Sequence, residues 1–224
     1  MAAAPSTARL EPAQRERFAR DGYVVLPGLV SRAWLDEVGA IVAAHQAQGH
    51  LEVMPPASGD LFVIQAPSER APELQPYFRT GPVAWLAREI LGPEIRILSN
   101  RYLVKPPGGH EIFPWHRDRE EYANVPTGDG ITLWIPMADV DRENGCLWYV
   151  PGSHRAEEGA AAPPPVCVPM QRGDVAVHTM GTLHMSGRNR TEAPRAVVAL
   201  EYIRADAIDP ATGRRFEHAA LIAP

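Results

Sequence analysis

From Ile95 onward the chain breaks into short β-type runs: Ile95 to Val104, Phe113 to Arg117, Ile131 to Met137, Cys146 to Val150, Val166 to Met170, Val175 to His178 and Ala196 to Ile203. Gly, Pro, Asn and Asp separate them at close intervals. Extended segments this short and this numerous bury their apolar faces by pairing into two facing layers, as in a sandwich or barrel. The expected fold class is therefore mainly β with flanking helices, a jelly roll on which a helical N-terminal third leans. With 224 residues the chain fits a single domain, 1-224, and no second core is needed.

The N-terminal third carries different signals. Residues 1-10 are Ala/Ser/Thr-rich and are expected to be disordered. Pro12 to Arg20 reads as a short helix closed by Gly22, and Tyr23 to Leu26 as a buried strand. Ser31 is placed to cap a longer helix with Trp34, Val38, Ile41 and Val42 at helical spacing, ending near Gly49. The stretch 49-76 is rich in Pro, Ser and Gly, with one apolar run from Leu61 to Ile64, and is expected to be an irregular lid over a substrate. Pro82 to Leu91 is a further helix, with Pro82 in its first turn and Gly92-Pro93 as the stop.

The net charge of -5 gives no basic field for nucleic acid or an anionic membrane surface. All but one of the 22 basic residues are arginine, and they are scattered; Lys105 is the exception. No segment approaches the ~20 apolar residues of a membrane span, and the first residues lack a signal-peptide pattern, so a cytoplasmic protein is expected. Cys146 and Cys167 lack CxxC spacing and read as two reduced, packed thiols.

The chemistry concentrates in Trp115-His116-Arg117-Asp118. On an extended segment alternate side chains share a face, so His116 and Asp118 can reach one metal ion while Arg117 points away. A third ligand must come from elsewhere, and the turn Gly173-Asp174 leads to two candidates, His178 and His184. Two histidines and one carboxylate on one side of an octahedron form the facial triad of non-heme Fe(II) oxygenases; the same donors also suit zinc with an open position, as in a hydrolase. Of the other histidines, His154 lies in a Pro-Gly-Ser turn and reads as structural, while His110, in the loop before the metal pair, is a weak candidate for substrate contact. Trp148 and Tyr149 read as core residues of an apolar strand.

These residues lie within a wider set of motifs. Asp21-Gly22-Tyr23-Val24-Val25, Lys105-Pro106-Pro107, Trp115-His116-x-Asp118, the run Asn144-Gly145-Cys146-Leu147 to Pro151-Gly152-Ser153-His154, and His184-x-Ser186-Gly187-x-Asn189 leading to Arg195 occur in that order. In this the chain resembles the phytanoyl-CoA dioxygenase family of Fe(II)- and 2-oxoglutarate-dependent oxygenases, from Asp21 to about Tyr202. The resemblance implies a double-stranded β-helix, a cupin-like distorted jelly roll with iron at its open end. It implies that His116, Asp118 and His184 are the iron ligands, which favours His184 over His178, and that Arg195 pairs with the far carboxylate of 2-oxoglutarate. Ser186 matches a hydroxyl that assists the same carboxylate, Trp134 an aromatic lining the cosubstrate pocket, and Arg101 falls near a further 2-oxoglutarate contact. Arginine suits the anchoring role because its planar fork of donors matches a carboxylate and stays charged. Arg117 stands where the family often has glutamine.

The function implied is oxidation, by default hydroxylation, of a small organic molecule with O2 and 2-oxoglutarate as cosubstrates, releasing succinate and CO2. A halogenating relative would need a small residue in place of Asp118. A zinc hydrolase would leave Arg195 without a task, and a non-enzymatic ligand-binding jelly roll would be expected to have lost a ligand. The composition points, weakly, to natural-product metabolism. No feature of the sequence sets the oligomeric state.

Overall fold

A computed structural model describes residues 10–51, 62–109, 112–121, 125–126, 128–156, 163–216 and 220–222. Residues 1–9 of the expected disordered start, 52–61 of the expected lid, and His110 lie outside the described residues. Leu10, the last residue of that expected disordered start, is buried in the core.

Helix α1 spans Pro12–Asp21, and Gly22 caps it in the left-handed conformation, its N–H donating to Phe18 O. Strand β1 (Tyr23–Leu26) follows, then helix α2 (Arg32–Ala47), whose cap is Ser31 accepting from Trp34 N–H at 3.1 Å. Next come strand β2 (Phe62–Gln65), the short helix α3 (Pro67–Arg70), a 3-10 turn at Pro72–Leu74, and helices α4 (Gln75–Arg79) and α5 (Gly81–Leu91). The β region comprises β3 (Ile95–Lys105), β4 (Phe113–His116), a helical turn α6 (Asp118–Glu121), β5 (Gly130–Pro136), β6 (Leu147–Tyr149), β7 (Val166–Val168), β8 (Val175–Thr179), β9 (His184–Ser186), β10 (Arg195–Arg204) and β11 (Ala220–Ile222).

Two antiparallel sheets result. The larger runs β1-β8-β5-β10-β3-β11, with β2 also paired to β3; the smaller runs β4-β9-β6-β7. Each strand of the larger sheet has two different faces, because side chains alternate with period two. On β5, Ile131, Leu133 and Ile135 face a core shared with Trp34, Leu35 and Val38 of α2 and Val83, Leu86 and Ala87 of α5, while Thr132 and Trp134 face the smaller sheet. On β10, Val198, Leu200 and Tyr202 join that same outer core, and Arg195, Ala199 and Glu201 turn inward. Helices on the outer face free the inner face for polar chemistry. A second apolar cluster, including Trp134, Leu147, Tyr149 and Val197, fills one end between the sheets. There Cys146 Sγ and Cys167 Sγ lie 3.2 Å apart, and burial first, then Cys167, pushes the Cys146 thiol up to about 12, which keeps it protonated.

The stretch expected as an irregular lid is, in its described part, built into the fold. Residues 62–65 form an edge strand on β3, with Val63 opposite Leu103, and Ile64, Ala71 and Leu74 are buried in the helix-side core. The apolar run is a strand because β3 is 11 residues long and β11 covers only its first part, leaving an edge open. The helical third is likewise interrupted by two strands of the main sheet, β1 and β2.

Gly22 shows how the N-terminal segment supports the rest. Its φ is +81°, and a Cβ there would meet His154 Nδ1 at 2.4 Å and Thr182 Oγ1 at 2.6 Å. Its carbonyl accepts from Thr179 N–H (3.0 Å) and from the Thr182 hydroxyl (2.8 Å). Gly22→Ala is expected to cost about 1 to 3 kcal/mol through the left-handed backbone alone, roughly 2 to 10 °C in melting temperature. Thermal unfolding of the metal-free protein measures this, and an unchanged midpoint would mean that the junction is looser than its contacts imply.

Candidate metal and dicarboxylate site

The two sheets enclose a pocket of about 530 Å³, part of it continuous with solvent. His116, Asp118 and His184 meet in its wall, each offering one ligand-type atom, all within 4.8 Å of one another. His116 Nε2 lies 3.5 Å and His184 Nε2 3.6 Å from Asp118 Oδ1. His116 and His184 are paired directly across β4 and β9. Asp118, however, does not continue the strand. β4 ends at His116, and Asp118 opens the helical turn α6, so the pair converges through a bend and not through alternation along one extended segment. The bend is fixed by Arg117, whose Nε donates to Gly181 O (3.0 Å) and Nη2 to Ser153 O (3.4 Å). Arg117 therefore points away from the metal donors, as expected, and ties the motif to two turns.

The hydrogen bonds decide which nitrogens are available. His116 Nδ1 lies 2.8 Å from Pro114 O, and His184 Nδ1 2.9 Å from Thr182 O. A carbonyl only accepts, so both Nδ1 atoms carry a proton and both Nε2 atoms are the ring positions turned toward Asp118 Oδ1. Burial would lower His116, but the hydrogen bond and charge of Asp118 outweigh it and raise that imidazole above its ordinary value. Burial, then the neighbouring His178, pushes His184 down to about 3. Its contact with Asp118 is accordingly not an ion pair, and the imidazole is in the neutral form that a metal requires. Burial would raise the Asp118 carboxyl, but the surrounding imidazoles outweigh it and hold it well below the usual carboxylate range. An anionic oxygen and two imidazole nitrogens around one point suit a divalent transition metal.

The other carboxylate oxygen is committed elsewhere. Asp118 Oδ2 accepts from the Thr132 hydroxyl and from His178 Nε2 (3.0 Å), and the Tyr149 hydroxyl donates to His178 Nδ1 at 2.8 Å. His178, the rival third ligand, is fully buried behind the carboxylate. Tyr149 is a core residue as expected, but its hydroxyl ends this relay, a role that an apolar strand pattern does not show. Trp148 is only half-buried, with the Arg142 guanidinium 4.9 Å from its ring centroid.

Arg195 is 3% exposed and lies over the Trp134 ring at 5.4 Å. Its Nε and Nη2 donate to Asn144 O (3.4 Å) and Gly145 O (3.2 Å). Burial lowers it to about 10, which leaves it charged at neutral pH. Ser186 and Trp134 share the pocket wall with it. Arg101 does not lie beside it: Arg195 pairs with Lys105 and Arg101 with Ala199, four residues along the strand. Arg101 Nη2 instead lies 2.9 Å from Glu121 Oε1 and 3.8 Å from Glu201 Oε1. Glu201 was not among the expected site residues.

The comparisons with known proteins agree with this geometry. The family model of phytanoyl-CoA dioxygenase (PhyH) matches residues 18–197. The peroxisomal phytanoyl-CoA dioxygenase of Rattus norvegicus is 26% identical over 86% of this chain and 68% of its own length. The ectoine dioxygenase of Sphingopyxis alaskensis is 31% identical over 68% of this chain, which spans about half of that enzyme. Among solved structures, the non-heme alpha ketoglutarate dependent carbocyclase SnoK from nogalamycin biosynthesis superposes with a TM-score of 0.81 at 23% identity, covering 99% of this chain and 100% of its own, a likeness of fold. Four-fifths of the chain falls within the family model, and its donor set is the one such chemistry needs: the chain belongs to the phytanoyl-CoA dioxygenase family and is a 2-oxoglutarate-dependent non-heme iron dioxygenase.

Proposed function

We propose that this member hydroxylates a small organic substrate, with His116, Asp118 and His184 holding Fe(II) and Arg195 anchoring 2-oxoglutarate. The observation that carries the assignment is the pair of Nδ1–H donations to Pro114 O and Thr182 O, which turns both Nε2 positions toward Asp118 Oδ1. Iron bound there with the keto acid supplies oxidative decarboxylation to succinate and CO2 coupled to substrate oxidation by O2. Within the chain, Asp118 brings one negative charge to offset the metal, and Thr132 and His178 hold its second oxygen so that the first keeps its direction. Arg195, itself buried, offers the remaining donor capacity of its fork to the far carboxylate, with Trp134 as the flat wall beside it. Ser186 adds a hydroxyl on the same side. The intact Asp118 speaks against halogenation, which needs its position for a halide.

The direct test is anaerobic addition of Fe(II) and 2-oxoglutarate, which is expected to produce a weak visible metal-to-ligand charge-transfer band that Zn(II) does not give. Binding of both without the band, or turnover under strict exclusion of O2, sinks the reading. In Asp118→Gly the band and the iron content are expected to fall together.

Arg195→Ala leaves a buried carboxylate unpaired, a loss of ~2 to 5 kcal/mol, roughly 30- to 3000-fold in 2-oxoglutarate affinity. Iron affinity should change far less, and titrations of each ligand against the variant separate the two. Equal weakening of both would remove Arg195 from the anchoring role.

Thr132→Val keeps the side-chain volume and deletes the donor to Asp118 Oδ2. Iron affinity is expected to drop roughly 10- to 100-fold, and His178→Phe should do the same with 2-oxoglutarate binding to the residual iron form preserved. Metal competition with a chromogenic chelator reads the change; wild-type affinity in both variants would show that the second oxygen needs no holding.

A further inference from the structure

Glu201 is a carboxylate in a place where carboxylates are costly. It is 3% exposed, lies in the pocket wall, and has a buried Oε2 with no hydrogen-bond partner among the described residues. The cation facing it, Arg101, stands 3.8 Å from Oε1 and is closer, at 2.9 Å, to Glu121. Two carboxylates thus share one guanidinium, and burial, only partly offset by Arg101, holds the Glu201 carboxyl up at about 7. The strand that carries it is regular against β5, with Glu201 opposite Thr132, while its pairing with β3 absorbs one extra β3 residue, Leu98, just beyond Ser99, the partner of Glu201.

Its position sets it apart from the cosubstrate end of the pocket. Glu201 follows Arg195 by six residues on the same strand face, roughly 20 Å at ~3.3 Å per residue, and pairs with Thr132, the residue that holds Asp118. A dicarboxylate running from Arg195 to the metal donors leaves Glu201 on the far side, beside Thr132 and Arg101, where two carboxylates, Glu201 and Glu121, face one guanidinium; the apolar Leu103 and Phe113 lie toward the other end, opposite Val197 and Ser186. Resting on the function proposed above, we infer that Glu201 is a substrate-binding residue, and that the substrate brings to it a hydrogen-bond donor, above all an ammonium group. A substrate with a carboxylate at that end would meet two carboxylates, Glu201 and Glu121, against the single guanidinium of Arg101, and be disfavoured.

The test uses three probes on one skeleton, cyclohexylammonium, cyclohexanol and cyclohexanecarboxylate, with Zn(II)-loaded protein and saturating 2-oxoglutarate, followed by ligand-observed NMR. The ammonium probe is expected to bind the wild type at least tenfold more tightly than the carboxylate. Glu201→Gln, which keeps shape and an acceptor, should weaken the ammonium probe roughly ten- to a hundredfold and spare the alcohol, while Glu201→Leu should weaken both. Binding of 2-oxoglutarate, read in the same spectra, should be unchanged in Glu201→Gln, which also reports that the variant is folded. Equal binding of ammonium and carboxylate probes, no binding of the ammonium probe, or an unaltered ammonium affinity in Glu201→Gln overturns the inference. Failure of 2-oxoglutarate to bind the wild type would instead overturn the underlying function.

Discussion

A buried carboxylate with three imidazoles around it is the constraint on which this molecule depends. Asp118 is 7% exposed, and an anion in that setting is tolerable only if each oxygen has a defined partner. The structure divides the work. Oδ2 is held from the larger sheet, by Thr132 on β5 and His178 on β8, and Oδ1 faces the two Nε2 atoms carried by the smaller sheet. The residue therefore links the two layers at the wall of the pocket, and both layers must be in register for it to be satisfied.

Much of the surrounding architecture keeps that register. The turn bearing Thr182 O, which orients His184, is tied to Gly22 O at the end of α1, so a helix far from the pocket helps to aim a ring within it. At the other end Gly145 approaches Gly187 so closely that a Cβ would come within 2.4 Å of its carbonyl, and the Gly145 carbonyl accepts from Arg195. Lys105 Nζ donates to Ser186 O and Gly187 O, and Asn189 Nδ2 to the carbonyls of Lys105, Pro106 and Ala193. The Lys-Pro-Pro, Asn-Gly and Ser-Gly-x-Asn motifs are thus mutual braces around Arg195.

The sequence made the long elements legible because their signals are local. Ser31 and Gly22 marked helix ends, and β5, β8 and β10 carried enough apolar residues to show as strands even with polar inner faces. The strand β9 escaped notice because its three residues, His184, Met185 and Ser186, place functional groups on the inward face, so no apolar alternation remains. β2 was hidden for a different reason: whether a four-residue apolar run is a strand depends on an open edge elsewhere, and a sequence window does not contain that edge. Spacing and family likeness singled out His116, Asp118, His184 and Arg195, which the fold brings to one pocket. The relay through His178 and Tyr149, and the buried Glu201, arise from side chains meeting across strands distant in sequence, and no motif signals them.

The alternation along β10 has a consequence for how such a chain can change over time. Arg195, Ala199 and Glu201 face inward while Val198, Leu200 and Tyr202 lie under the helices, with neighbours on both sides held by β3 and β5. Inserting one residue near the start of this strand would exchange the two faces, sending aliphatic groups into the pocket and an arginine beneath α5. Length variation is therefore excluded from β10 and confined to the turns, whereas single replacements at inward positions away from Arg195 leave the outer core untouched. Lineages built on this strand can diversify by exchange of side chains at fixed spacing but not by indels, so gap-free alignment across β10 is the pattern expected of its descendants.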